Sequence, residues 1–292
     1  MKFTCIFFLM AFIFLPCIAQ TNENASLQFT FLPSGIHFQP LKANVQEPRL
    51  GVFKSLDVGN MKVDIGNTID LAELYFPSHQ SKFTIGIDFM AYAFVTNSQG
   101  LRLQIDAIDG FFGGNLSFSK QYEVNKLQAR FRIIHHSAHL VDGHYNQSTN
   151  SWIDNRSPIP ATQDLGEIVF AHNVVPSFGL LKYYGGFSYA TLVRPSTIER
   201  ISFLAGTEIA FDNIIGAVHH QPTNLFLAYH IDLRGTPEYS ATHQLQLGIK
   251  VGNWNEKGIT IFLGYYTGQH MFAEYFDQHL STLGAGFTVD WY

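Results

Sequence analysis

Leu225-Phe226-Leu227-Ala228-Tyr229-His230-Ile231-Asp232-Leu233-Arg234 is the stretch on which the fold turns. Side chains alternate across an extended strand, so Leu225, Leu227, Tyr229, Ile231 and Leu233 share one face, and Phe226, Ala228, His230, Asp232 and Arg234 share the other. One face is greasy throughout, while the other ends on an imidazole, a carboxylate and a guanidinium. The next segments repeat the pattern, with Leu245, Leu247, Ile249 and Val251 set against Gln246, Gly248, Lys250 and Gly252, and Ile259, Ile261, Leu263 and Tyr265 against Thr260, Phe262, Gly264 and Tyr266. A soluble sandwich also alternates, because its polar face stays wet. Length separates the two architectures: soluble strands usually run to about five or six residues, whereas tilted membrane-spanning strands need roughly nine to eleven.

Working outward, alternating segments of similar length occupy 49–56, 61–75, 82–96, 101–120, 126–142, 164–174, 181–193, 201–213, 224–234, 244–254, 258–267 and 280–292. These make about twelve strands, an even number that lets both ends of a bacterial outer-membrane barrel return to the periplasm. The expected fold is therefore an all-β, transmembrane antiparallel β-barrel over 47–292. Asp109-Gly110 breaks the alternation of the fourth segment and predicts a bulge there. The longest connection, 143–163, follows the fifth strand and is expected on the external side.

Residues 1–19 read as a secretory signal peptide, with Lys2, an apolar run from Phe3 to Ile18 and a small residue, Ala19, before the cleavage point. Both cysteines, Cys5 and Cys17, fall in that segment, so the exported chain has no disulfide and no thiolate chemistry. Residues 20–46, with Pro33 and Pro40, are expected to form an irregular extension that lines the periplasmic mouth or plugs the lumen. The chain is 15% aromatic and 14% charged, with a formal net charge of −5, a balance that points to no nucleic-acid partner. No phosphate-binding glycine loop or dinucleotide fingerprint is present, so no cofactor is expected. The partners implied are outer-membrane lipids and the barrel-assembly machinery, which reads C-terminal aromatic strands such as the one ending Trp291-Tyr292. The oligomeric state is left open.

Arg130-Phe131-Arg132-Ile133-Ile134-His135-His136-Ser137-Ala138-His139-Leu140-Val141-Asp142 carries a more specific pattern, together with Ile36–Arg49 and Gly264–Gly268. These stretches resemble a family of bacterial outer-membrane barrels known only as a domain of unknown function. The shared motif is Arg130, Arg132, His135, Ser137, His139, Leu140 and Asp142. The resemblance implies the fold and names no reaction.

The same stretch holds the candidate chemistry. Leu127, Ala129, Phe131 and Ile133 share a face with His135, Ser137 and His139, so an imidazole and a hydroxyl project toward lipid, while Arg130, Arg132 and His136 turn into the lumen. This placement resembles the outer-membrane phospholipases and lipid A deacylases, whose His-x-Ser pair sits on the outer wall of a barrel. A serine needs a neighbouring base to become a nucleophile, which assigns Ser137 and His135 those roles. Asp142, Asn150 and Glu167 are candidates for the group that orients the base. The Asn that follows the serine in those phospholipases is replaced by Ala138. A metal site on His135, His136, His139 and His144 is disfavoured, since alternation sends neighbouring imidazoles to opposite faces.

Arg130, Arg132, Lys250 and Arg234 against Asp88, Glu208, Asp212 and Asp232 are expected to line the lumen, either as a selective aqueous path or as mutually paired charges that fill it. Passage or binding of a small polar solute, or a structural envelope role, is the first functional expectation. A lipid hydrolase on His135 and Ser137 is the alternative, and whether the protein is an enzyme is left open.

Overall fold

The computed structural model describes residues 26–98, 102–236 and 238–291; the expected signal peptide, Cys5, Cys17 and Tyr292 lie outside them. The chain order is β1 (Gln28–Phe31), β2 (Leu50–Ser55), β3 (Met61–Phe76), β4 (Ser81–Ser98), β5 (Arg102–Tyr122), β6 (Asn125–Leu140), the two-residue strands β7 (Tyr145–Asn146) and β8 (Ser151–Trp152), β9 (Ala161–Val174), β10 (Gly179–Arg194), β11 (Ile201–Asp212), β12 (Thr223–Gly235), β13 (Tyr239–Val251), β14 (Gly258–Gln269) and β15 (His279–Asp290). Twelve of these, β2–β6 and β9–β15, pair antiparallel with their neighbours, and the sheet closes because β2 pairs with both β15 and β3. Each of the twelve segments read from alternation carries one barrel strand. β7 and β8 form a separate small hairpin in the connection after β6.

Closure gives each of the twelve wall strands a neighbour on both sides, and their side chains alternate between lumen and exterior. In β14, Ile259, Ile261, Leu263 and Tyr265 are exposed, whereas Thr260, Phe262, Gly264 and Tyr266 are buried. The exterior is apolar around the wall, as Ile85, Ile87 and Phe89 on β4, Phe131 and Ile133 on β6, and Leu245 and Leu247 on β13 illustrate. Among the described residues no helix is long and apolar enough to cross a membrane. Gly206 illustrates the close fit inside, where a Cβ would collide with the Tyr184 hydroxyl.

The bulge in β5 lies at Asp106, three residues before the expected Asp109-Gly110. The register slips there, so that Asp106 and Ala107 are both buried. Asp109 itself keeps the inward phase of Ala107 and Phe111, because it accepts hydrogen bonds from His136 Nε2 at 2.9 Å and from the Ala273 N–H at 3.0 Å. An inward carboxylate looks like a break in the pattern only when its partners are unseen.

The N-terminal extension is part strand and part plug. β1 pairs with the end of β3 that projects past β2, from Ala72 to Tyr75. The chain then enters the lumen, where Ile36, Phe38, Leu41, Ala43 and Glu47 are buried. Irregular backbone inside a barrel must find partners for its N–H groups, and the wall supplies them. The N–H of His37 donates to Asp70 at 2.7 Å, that of Lys42 to Glu208 at 2.8 Å and that of Val45 to Gln244 at 2.8 Å. Glu47 accepts two hydrogen bonds from Arg130, at 2.9 and 2.5 Å, and Arg132 donates to Glu167 at 2.9 Å. Lys42 and Lys250 share the Asp290 carboxylate at 2.9 and 2.7 Å. The lumen is thus filled with paired charges, the second of the two expected arrangements.

At the opposite end, away from Asp290, the connection between β14 and β15 folds inward. Phe272 is fully buried against Tyr92 and Phe94, with ring centroids 5.2 and 5.1 Å away. Arg156 from the connection after β6 holds this segment by donating to the Glu274 carbonyl at 2.8 Å and to Asp277 at 2.9 Å.

Candidate functional site

β6 sets the site by alternation. Gln128, Arg130, Arg132, Ile134, His136, Ala138 and Leu140 are buried toward the lumen, and Leu127, Phe131, Ile133 and His139 are exposed on the outer wall. His135 and Ser137 lie on that outer face and are half-buried. Ala138 faces inward, so the position after the serine has no access to the outer wall, whatever residue occupies it.

The neighbouring strands fix what surrounds the pair. On one side β5 sets Phe112 opposite His135 and Gly110 opposite Ser137. The Phe112 and His135 rings meet at 4.9 Å, which holds the imidazole against the wall. A Cβ built on Gly110 meets nothing closer than Ser137 Oγ at 3.9 Å, so the missing side chain leaves a notch beside the hydroxyl. On the other side β9 sets Asp164 opposite His135 and Thr162 opposite Ser137.

His135 Nδ1 and Asp164 Oδ1 are 2.6 Å apart, with the two side chains 36% and 48% exposed. A carboxylate on Nδ1 fixes the tautomer and leaves Nε2 as a free base. The Asp164 carbonyl accepts a hydrogen bond from Thr191 Oγ1 at 3.1 Å, which ties this end of β9 to β10. Among the described residues neither Ser137 Oγ nor His135 Nε2 is engaged in a hydrogen bond, with each other or with a third group.

The carboxylate that meets His135 is Asp164, and none of Asp142, Asn150 and Glu167 does so. Asp142 is exposed in a short 3-10 turn beyond the end of β6. Asn150 accepts from the Tyr145 hydroxyl at 2.6 Å within the connecting loop. Glu167 has the opposite parity to Asp164 and is spent on Arg132 inside the lumen. The signal was present in the sequence: Asp164 shares its parity with Ile168 and Phe170, which face outward. A strand expected over 164–174 begins on Asp164, and a first residue without a strand neighbour before it carries no face of its own.

The remaining motif residues separate by face. Arg130 and Arg132 bind Glu47 and Glu167 within the wall, His136 meets Asp109, and His144 Nδ1 meets Asp106 Oδ2 at 2.9 Å. Leu140 contributes its N–H to Glu274 at 3.3 Å and its side chain to the core. The four histidines of the weighed metal site therefore have three different carboxylate partners or none. Of the lumen residues, Glu208 is buried near Lys182 at 3.8 Å, and Lys250 is buried on Asp290. Asp232 accepts from His230 Nε2 at 3.1 Å and lies 3.7 Å from Arg234. Asp212 is a correction: it terminates β11 at the rim and is exposed, since the strand ends before the lumen closes over it. A comparison with protein-family models and with curated proteins finds no match for this chain.

Proposed function

We propose that this chain is an integral outer-membrane barrel that hydrolyses ester-linked lipids at its outer wall, with Ser137 as nucleophile, His135 as base and Asp164 as the group that orients the base. The 2.6 Å contact between His135 Nδ1 and Asp164 Oδ1, on the same outward strip as Ser137, carries the reading. The setting supports it. A closed wall of twelve strands with Ile, Leu and Phe on its exterior is suited to hydrocarbon rather than water. The open Cβ position at Gly110 leaves room beside the Ser137 hydroxyl for an ester arriving sideways from a leaflet.

The chemistry balances with these groups alone. Ser137 Oγ attacks the ester carbonyl carbon as His135 Nε2 takes the hydroxyl proton, and the imidazolium that forms is stabilised by Asp164. Collapse breaks the bond to the alcohol, which leaves with the proton from Nε2. Water then attacks the acyl-serine with His135 again as base, releasing the fatty acid and restoring Ser137. His139, exposed two residues further along the same face, would serve as the donor to the developing oxyanion.

Passage of a polar solute has less support, because the plug 36–49 and the infolded segment 270–278 occupy the two ends of the lumen. The deciding experiment reconstitutes the barrel into vesicles of phospholipid or lipopolysaccharide and measures released fatty acid. Release that Ser137→Ala abolishes is the expected result. Intact lipids together with a steady conductance in planar bilayers would overturn it in favour of solute passage.

A further inference from the structure

β10 changes parity near its C-terminal end. Tyr183, Phe187 and Tyr189 are exposed on the outer wall, which by alternation alone would turn the even-numbered residues after them inward. Thr191 is an extra residue: Ala190 pairs with Leu165 and Leu192 with Asp164, so the strand bulges between them. Beyond the bulge Val193 is buried, while Leu192 and Arg194 are exposed. The bulge is tied down from both sides. Arg200 donates to the carbonyls of Ala190 and Thr191 at 2.9 and 2.6 Å, and Thr191 Oγ1 donates to the Asp164 carbonyl at 3.1 Å.

The shift in parity creates a row across three strands. Thr162 of β9 stands opposite Ser137 on one side and opposite Arg194 on the other. Neighbouring strands lie roughly 4.8 Å apart, so Arg194 leaves the wall about two spacings, roughly 10 Å, from Ser137. Thr162, between them, is small and gives its hydroxyl to the His136 carbonyl at 3.0 Å. Arg194 is not spent on a charge. Its guanidinium donates to the Val193 carbonyl at 3.0 Å, and among the described residues it forms no ion pair with a carboxylate. Asp164, diagonal to it in the sheet, is engaged by His135.

A guanidinium is a planar, weakly hydrated fork of donors that fits phosphate oxygens in pairs. At the end of a strand on the outer face of a spanning wall, such a charge belongs at the level of the lipid headgroups. In a phosphate-bearing acyl lipid only a few bonds separate an acyl carbonyl from the phosphorus, so an ester held at Ser137 Oγ carries its phosphate toward Arg194. We propose that Arg194 binds that phosphate and makes the outer-wall site selective for phosphate-bearing lipids over neutral ones, an inference that rests on Ser137 being the nucleophile. Glycerophospholipids and lipid A share this chemistry.

The test gives the purified, folded barrel two pairs of probes at equal surface fraction in micelles of one detergent: dioleoylphosphatidic acid with dioleoylglycerol, and lipid A with dephosphorylated lipid A. Released fatty acid yields kcat/KM for each. In at least one pair the phosphate-bearing probe is expected to turn over at least about 10-fold more efficiently, the factor supplied by the weaker hydrogen bonds to charged groups; the pair that shows it identifies the source. Arg194→Gln should bring that ratio close to one, and Arg194→Lys, which keeps the charge without the fork, should leave it in between. A folding defect lowers both members of a pair together, so the ratio reads recognition alone. Equal efficiency of the parent within both pairs, or a ratio that Arg194→Gln leaves intact, overturns the role of Arg194 while the hydrolase stands. Absence of fatty acid from every probe, or release that Ser137→Ala leaves untouched, overturns the hydrolase and the role of Arg194 with it.

Discussion

The outer-wall site stands or falls on individual side chains. Asp164 acts only through His135, so Asp164→Asn is expected to lower the turnover of lipid ester by between about 100-fold and 10,000-fold while leaving KM nearly unchanged, because the imidazole then rests in the wrong tautomer. Asp142→Asn, altered in the exposed turn beyond β6, is the control and should turn over at the parent rate. If the two variants behave alike in a fatty-acid release assay, Asp164 has no orienting role. Gly110 supplies the complementary test. Its backbone lies outside the left-handed region and its Cβ position is open, so Gly110→Leu should fold, cover Ser137 Oγ and raise KM by at least about 10-fold. An unchanged KM would mean that substrate does not approach along that notch.

At the scale of elements, the connections decide more than the strands do. The connection after β6 sets β9 beside β6 in the register that brings Asp164 to His135, and it also packs on the infolded segment before β15. Glu274 joins the two, accepting from the N–H groups of Leu140 and Ile159 at 3.3 Å each. Burial pushes its carboxyl up from the ordinary glutamate value, against those two N–H bonds. A carboxyl raised in the folded state favours folding most fully below its unfolded pKa, and that contribution is lost as pH rises through the folded value. The docking of segment 270–278 is therefore expected to loosen as pH rises from the usual glutamate range through the raised one. Limited proteolysis within 270–278 at several pH values, using a protease of flat activity, reads this directly. Glu274→Gln should remove this loosening and leave only the tightening with rising pH that His270 supplies, since burial holds that imidazole down at about 4. A variant that loosens as the parent does would show that another group is responsible.

For the molecule as a whole, the plug is the part whose removal should change most. Glu47 is fully buried between Arg130 and Arg132, and its loss leaves two guanidinium groups inside the lumen with only Glu167 between them. Breaking a buried ion pair from one side costs about 3–5 kcal/mol. Glu47→Ala is accordingly expected to lower the stability of the plugged barrel by that amount in a denaturant titration. In planar bilayers it should show intermittent conductance that the parent lacks. A silent bilayer together with unchanged stability would mean that the apolar side of the plug, Phe38 and Leu41 above all, holds it alone. Lipid turnover should be nearly unaffected in Glu47→Ala, since the plug and Ser137 lie on opposite sides of the wall.

Alternation together with segment length pointed to a barrel of twelve strands, because a period of two residues is shared with soluble sandwiches, whereas segments of this length are those of a closed, tilted wall. The same rule gave every side chain of β6 its face, and with it the outward His135 and Ser137 and the inward arginines. Parity says nothing about register between strands separated by a long loop, and so Asp164 was legible as a carboxylate but not as the partner of His135. The bulge at Asp106 and the path of residues 36–49 were hidden for the same reason. Each is settled by hydrogen-bond partners far away in the chain, such as Ala273 for Asp109 and Glu208 for Lys42. The sequence determined which way each side chain turns; only the closed tertiary structure decided which of them meet, since pairing between distant segments depends on closing the whole sheet at once.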